Sequence, residues 1–179
     1  DREVAINSAK YMALDEKYIQ EAADRVMIQD LLGRYAFAAD YQTADPGAWA
    51  GLFADNGRFE IPVMKVIVEG RDELRDFAAG LQRTIPGLHH VMTNVMIDVD
   101  GDRASGKCEL NEFLLRPEAI YNNLQGWYED EYVRDGRHWL FQVRKVFVPR
   151  DSSRVTTGGK IGEYFKAYLE FCQQYRHES

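Results

Sequence analysis

The reading of the fold turns on residues 89–148, HHVMTNVMIDVDGDRASGKCELNEFLLRPEAIYNNLQGWYEDEYVRDGRHWLFQVRKVFV. Val, Ile, Phe, Tyr and Trp recur through it in four strand-like segments, 89–98, 104–115, 122–134 and 139–148. Asp100-Gly101-Asp102, Pro117 with its loop, and Asp135-Gly136 divide them, and these are residues that turn a chain. The segments therefore predict a run of neighbouring antiparallel strands.

Upstream the period changes from two to between three and four. Over 22–40, Val26, Ile28, Leu31, Leu32, Tyr35, Ala36 and Ala39 recur at helical steps, which predicts an amphipathic helix. A short helix is expected over 48–53, opened by Pro46, then a strand or hairpin over 58–68, and a third helix over 72–82. A last helix is expected over 161–175. Residues 1–20 carry Tyr11, Leu14 and Tyr18 among charges without a sustained apolar stripe, so they read as an arm against the body or a second subunit. Helices first and strands afterwards is the α+β order. A sheet of this length, bent by bulges, wraps around the first helix and leaves a cavity between them.

A chain of 179 residues, 45% hydrophobic and 28% charged, has the size and balance of one globular domain with end extensions. Its net charge of −7, with Lys and Arg scattered among acids, lacks the basic footprint of a nucleic-acid binder. No apolar run is long enough for a membrane span, and no secretory pattern opens the chain, so a cytoplasmic location is expected. Cys108 and Cys172 have no CxxC spacing, and His89, His90, His138 and His177 have no ligand spacing. Neither a disulfide framework nor a metal or other cofactor is expected.

Few residues are placed to do chemistry. Asp40 ends the first helix, where a surface acid is the plain reading although the helix dipole disfavours it. Alternation puts His89 and His90 on opposite strand faces, so one of them points inward. An inward imidazole is either a hydrogen-bonded structural group or a base whose reference pKa lies near neutrality. A carboxylate on its other nitrogen would fix the tautomer. Glu112 and Arg144 lie within strands, either on the solvent face or, if inward, paired with each other or with a polar substituent. Trp127 and Tyr128 offer one inward ring between them.

Five pieces in this order resemble the SnoaL-like branch of the nuclear-transport-factor-2-like superfamily, which includes scytalone dehydratase, lindane dehydrochlorinase and bile-acid 7-dehydratase. They are IQDLLGRYAFAAD from Ile28, WAGLF from Trp49, HVMTN from His90, GWYEDEYVRDGRHW from Gly126, and Arg144. The resemblance covers 22–150 and leaves 1–21 as an N-terminal arm and 151–179 as a C-terminal extension with its helix. It implies a cone-shaped, mixed and mainly antiparallel sheet around the N-terminal helices, a cystatin-like α+β barrel. It implies an Asp40–His90 catalytic dyad, with Tyr35 or Arg144 acting on a leaving group. Glu112 falls near an acid of the bile-acid enzyme, and the second histidine of scytalone dehydratase has no counterpart. Substrate contacts are expected from Glu112, Tyr128, Trp127 and Asn94. The activity implied is a cofactor-independent lyase on a small cyclic or aromatic, largely apolar substrate. Release of formaldehyde from an aryl side chain or movement of a double bond would use the same dyad. The rival class is a non-catalytic binding module. A homo-oligomer, dimer or trimer, is expected by analogy.

Overall fold

A computed structural model describes the backbone of residues 2–148 and 160–177, and side chains over 16–148 and 166–177. The elements run α1 (Arg2–Ala39), α2 (Pro46–Ala50), β1 (Phe53–Ile61), a 3₁₀ turn (Pro62–Met64), β2 (Val66–Glu69), α3 (Arg71–Thr84), β3 (Leu88–Asp100), β4 (Arg103–Leu115), β5 (Ile120–Asp135), β6 (His138–Phe147) and α4 (Lys160–Cys172). A second 3₁₀ turn, Gln173–Tyr175, ends the series. The expected strand or hairpin over 58–68 is a hairpin of β1 and β2. The short helix stops at Ala50, and Phe53 already belongs to a strand. The stretch read as an arm is helix from Arg2 onward, continuous with the helix expected from residue 22. Neither Gly nor Pro occurs between Arg2 and Leu32, and a helix propagates cheaply through such residues once nucleated. Within it, Glu16 to Gln20 are exposed. Residues 151–159 of the expected C-terminal extension lie outside the described residues. Among the described residues no helix is long and apolar enough to cross a membrane.

The six strands form one mixed sheet in the order β2-β1-β6-β5-β4-β3. Only β1 and β6 run parallel, so the sheet is mainly antiparallel as expected. Register shifts put one extra residue on β3 between Thr93 and Met96, one on β5 at Asn123, opposite Glu112 and Phe113 of β4, and one on β6 at Gln142, opposite Glu131 and Tyr132 of β5. Each extra residue bends its strand, and together they curve the sheet around α1.

The concave side of the sheet and the inner face of α1 make the core, with Ile28, Leu31, Leu32, Tyr35 and Ala39 packed on Trp49, Phe53, Tyr128, Tyr132 and Phe141. Polar clamps fix the helix along its length. Arg134 grips the buried Asp24 with two hydrogen bonds, 2.9 and 2.7 Å, and the Trp139 indole donates a third at 3.1 Å. α4 follows its own helical spacing, with Phe171, Cys172 and the following Tyr175 turned inward. The Phe171 ring occupies the space over Gly80 of α3, where a Cβ would come within 2.0 Å of it. Beyond α4 the chain is held on the sheet edge by a bridge from Arg176 to Val66.

The Arg134 guanidinium holds the Asp24 carboxyl below its ordinary value near 3.8, against the opposing effect of burial. A depressed carboxyl pKa stabilises the fold at neutral pH and loses that contribution as pH falls through the folded value. Asp24→Asn, which leaves the partly buried guanidinium only the exposed Asp102 carboxylate, 2.9 Å from its Nε, as counter-charge, is expected to lower stability by about 2 kcal/mol at pH 7. The gap to the parent protein should narrow below pH 3.8, as read by urea midpoints across the acid range.

Candidate active site

The end of α1 and the start of β3 are tied together by the backbone. The Asp40 N–H donates to Ala36 at 2.9 Å, continuing the helical ladder, and the next N–H, of Tyr41, donates to the Leu88 carbonyl at 3.0 Å. Gly87 makes the approach possible: its φ is +88°, and a side chain there would come within 2.4 Å of the Leu115 carbonyl oxygen. The chain then places His89 and His90 against Asp40. Asp40 Oδ1 accepts the His90 backbone N–H at 2.9 Å and lies 2.8 Å from His90 Nδ1. Only 9% of the Asp40 side chain and 4% of the His90 side chain are exposed. With Nδ1 donating to the carboxylate, the tautomer inferred for a neutral ring leaves the Nε2 lone pair free.

On that side His90 Nε2 stands 3.7 Å from Glu112 Oε2, across the β3–β4 pair in which His90 and Glu112 are direct partners. Asn123 of β5 donates to the other Glu112 oxygen. Burial raises the Glu112 carboxyl above its ordinary range, with His90 and Asn123 pulling the other way. His90 thus lies between two buried carboxyls, one 2.8 Å from its Nδ1 and one 3.7 Å from its Nε2.

Beneath it are Tyr35, edge-on to the imidazole with ring centroids 5.9 Å apart, and Tyr128, 5.8 Å from Tyr35. The two hydroxyls share a hydrogen bond, and burial lifts Tyr35 to about 12, so it is a neutral O–H donor near neutral pH. Arg144 is fully buried, its guanidinium 4.1 Å above the Tyr35 ring and 3.6 Å above that of Tyr128. Its ion-pair partner is Asp130, directly opposite on β5 at 3.7 Å. Burial raises Asp130 to about 6, with Arg144 lowering it.

Several sequence expectations are corrected by these positions. Glu112 and Arg144 both point inward but do not pair with each other: Glu112 meets His90 and Asn123, and Arg144 meets Asp130. Trp127 lies off the cluster, stacked on Phe147 at 5.4 Å with its indole donating to Glu129, because strand alternation gives the inward place to Tyr128. Asn94 is exposed at the β3 bulge with φ +51°, a turn position rather than a wall of the interior. The interior expected to be hollow is closely filled, since Tyr35, Tyr128 and Arg144 are each 2% exposed or less. A cleft of about 250 Å³ lies instead on the outer sheet face, among Met96, Lys107, Glu129, Val143 and Lys145, and no dyad residue lines it.

Four neighbours of the dyad were not legible. His89, 42% exposed, brings its Nδ1 within 3.0 Å of Asp40 Oδ2 although it sits on the opposite strand face from His90. Asn123 and Asp130 share β5 with Tyr128, and strand parity from Tyr128 would have found Asp130. Tyr168 of α4 is packed on the core and hydrogen-bonded to Cys172, with Glu112 near enough to disfavour its phenolate. Nothing local in the sequence signals where α4 docks.

An α1 helix cradled by a bent mixed sheet, with polar groups converging at the helix end, is the cystatin-like architecture of the nuclear-transport-factor-2 class. Residues 20–145 match the family model of the SnoaL-like domain, and the chain belongs to that family. Among solved structures it is similar to a variant of Rv3472 from Mycobacterium tuberculosis, described as of unknown function, at 24% identity over 92% of this chain and 95% of that one, with a TM-score of 0.78. It is also similar to a scytalone dehydratase, so named provisionally, from Novosphingobium aromaticivorans, at 21% identity over 72% and 86% of the two chains, TM-score 0.61. LinA matches at 21% identity over 75% and 94%, TM-score 0.61. At these identities the likeness is one of fold. No curated protein sequence matches the chain.

A carboxyl whose folded pKa is raised favours the fold while protonated, and that advantage is lost as pH rises from its unfolded value, near 4.5 for Glu112, through its folded one. Glu112→Gln keeps an acceptor for Asn123 and removes the ionisation. The variant is expected to gain stability over the parent chain as pH rises above 4.5, read in urea midpoints.

Proposed function

We propose that this chain is a cofactor-independent lyase of the dehydratase kind, acting on a small cyclic or aromatic, largely apolar substrate. The observation that carries the reading is the 2.8 Å contact between Asp40 and His90 within the core, with Nε2 turned away from the carboxylate toward Glu112 and the Tyr35 edge. Support comes also from the family and from the names of two neighbours in fold, a dehydratase and LinA.

In this reading His90 Nε2 takes a proton from carbon beside a carbonyl, and Asp40 steadies the imidazolium that forms. The C–H electron pair becomes the new C=C bond as the C–O bond breaks at the neighbouring carbon. Tyr35 gives its proton to the departing hydroxide, and the Arg144 charge over both phenol rings steadies the phenolate. The imidazolium proton then restores Tyr35, so one water leaves and no co-substrate is consumed. Arg144 faces the rings rather than His90, so it acts through Tyr35 and Tyr128. Glu112 and Tyr128 remain the substrate contacts of the reading, now joined by Asn123. Isomerisation would begin with the same proton abstraction, whereas in formaldehyde release His90 would take the proton of the side-chain hydroxyl, whose electron pair forms the C=O bond as the carbon–carbon bond breaks and its electrons pass to the ring.

The filled interior favours a second reading, a binding module in which Asp40 and His90 make a structural hydrogen bond, because a substrate must displace side chains to reach Nε2. A bicyclic β-hydroxy ketone separates the two. 3-Hydroxy-1-tetralone loses water to give 1-naphthol, which is followed by its absorbance and fluorescence. Asp40→Asn and His90→Ala are expected to stay folded and to lose turnover by about 10² or more. Turnover unchanged in His90→Ala would remove the dyad from the mechanism. No turnover of any bicyclic β-hydroxy ketone by the parent protein, with melting temperatures falling in both variants, would favour the binding reading.

A further inference from the structure

Strand alternation separates the two adjacent histidines, yet both meet the same carboxylate. Asp40 Oδ1 is occupied twice by His90, through the backbone N–H at 2.9 Å and Nδ1 at 2.8 Å. Oδ2 lies 3.0 Å from Nδ1 of His89. The carboxylate sits where β3 begins, so its two oxygens reach toward the two faces of the strand. His89 is 42% exposed and Asp40 9%, so the outer imidazole stands between the carboxylate and water.

The Asp side chain does not fix this arrangement by itself. Its terminal torsion joins an sp³ to an sp² carbon and is broad, so the plane of the carboxylate is set by what its oxygens meet. With Oδ1 committed to His90, the group at Oδ2 determines how squarely Oδ1 faces Nδ1. We infer that His89 is a positioning residue for the dyad, its imidazole holding the outer oxygen of Asp40 and excluding water from it, so that the inner oxygen stays aimed at His90. The role in turnover rests on the lyase reading; the effect on the Asp40–His90 contact does not.

Two substitutions separate the polar contact from the bulk of the ring. His89→Leu keeps volume and removes the N–H, whereas His89→Asn places an amide nitrogen at the position of Nδ1. The first measurement is made on the resting protein without substrate: the Nδ1–H proton of His90 is observed by NMR, and its exchange with water is timed. His89→Leu is expected to speed that exchange at least about tenfold and to shift the resonance, whereas His89→Asn keeps both near the parent values. With 3-hydroxy-1-tetralone, the Leu variant should lose about tenfold in kcat at little change in KM, and the Asn variant should recover most of the loss. A His90 Nδ1–H resonance and exchange rate in the Leu variant equal to the parent's would overturn the inference. A Leu variant that moves the resonance while His90→Ala still turns substrate over would instead overturn the lyase reading and leave the positioning role standing.

Discussion

Burial of a carboxylate at the wrong end of a helix is the constraint from which the rest of the site follows. Asp40 sits at the C-terminal end of α1, where the helix dipole opposes negative charge, and it is shut away from water. Such a group persists only if donors are brought to it. The chain brings them through a single backbone link, the Tyr41 N–H on the Leu88 carbonyl, which delivers the first residues of β3 to the helix end. The remaining carbonyls of the last turn are met too: Phe37 by the Thr43 hydroxyl, Ala38 by the Asp45 N–H, and Ala39 by the Gln82 amide of α3. The helix terminus, the β3 start and the dyad are therefore one hydrogen-bonded unit.

A second buried charge is handled by a different means. Arg144 has no exposed surface, and its Nε and Nη1 have no hydrogen-bond partner. Aromatic faces surround it, Tyr35 and Tyr128 on either side and Phe141 at 4.7 Å, with the Met92 sulfur 3.1 Å from Nη2. Ring quadrupoles and polarisable sulfur replace part of the lost hydration, and Asp130 supplies the counter-charge. The cation is in turn a fixed source of potential under the two phenols, which connects the electrostatics of the core to the groups nearest His90.

The parts of this molecule that were readable from sequence are those set by local periodicity. The helix over 22–40, the four strands and the hairpin turns rest on apolar spacing and turn chemistry within ten to twenty residues; the structure has the strands and the end of that helix within a few residues of expectation, while the helix itself begins at Arg2. Resemblance brought Asp40 and His90 forward as a pair; spacing alone left open which histidine pointed inward. What was not readable depends on two-dimensional registry. Trp127 and Tyr128 are neighbours in sequence, and only the register of β5 against β4 and β6 decides which ring is inward. Asn94 became a bulge residue because β3 carries one extra residue relative to β4. The packing of α4 over Gly80 joins segments about ninety residues apart, and no local signal specifies it. The helical course of residues 2–20 was missed because their sequence has no sustained apolar stripe to display.

The position of His90 between Asp40 and Glu112 has an electrostatic consequence that neither acid would have alone. Both acids are buried, but Asp40 Oδ1 meets the His90 backbone N–H and Nδ1 whereas Glu112 has the Asn123 amide donor, and burial raises Glu112 above its ordinary range. Two acids equally ionised on either side of the ring would hold it symmetrically and leave neither nitrogen distinguished. With Asp40 Oδ1 meeting both the backbone N–H and Nδ1 of His90, and Glu112 standing 3.7 Å from Nε2, Nδ1 is committed and Nε2 is not. A base needs that asymmetry, because the nitrogen that receives a proton must be different from the one that orients the ring. The difference arises from where two strands place their neighbours, Leu88 and Tyr41 on one side and Asn123 on the other, and so from the same backbone geometry that closes the sheet around α1.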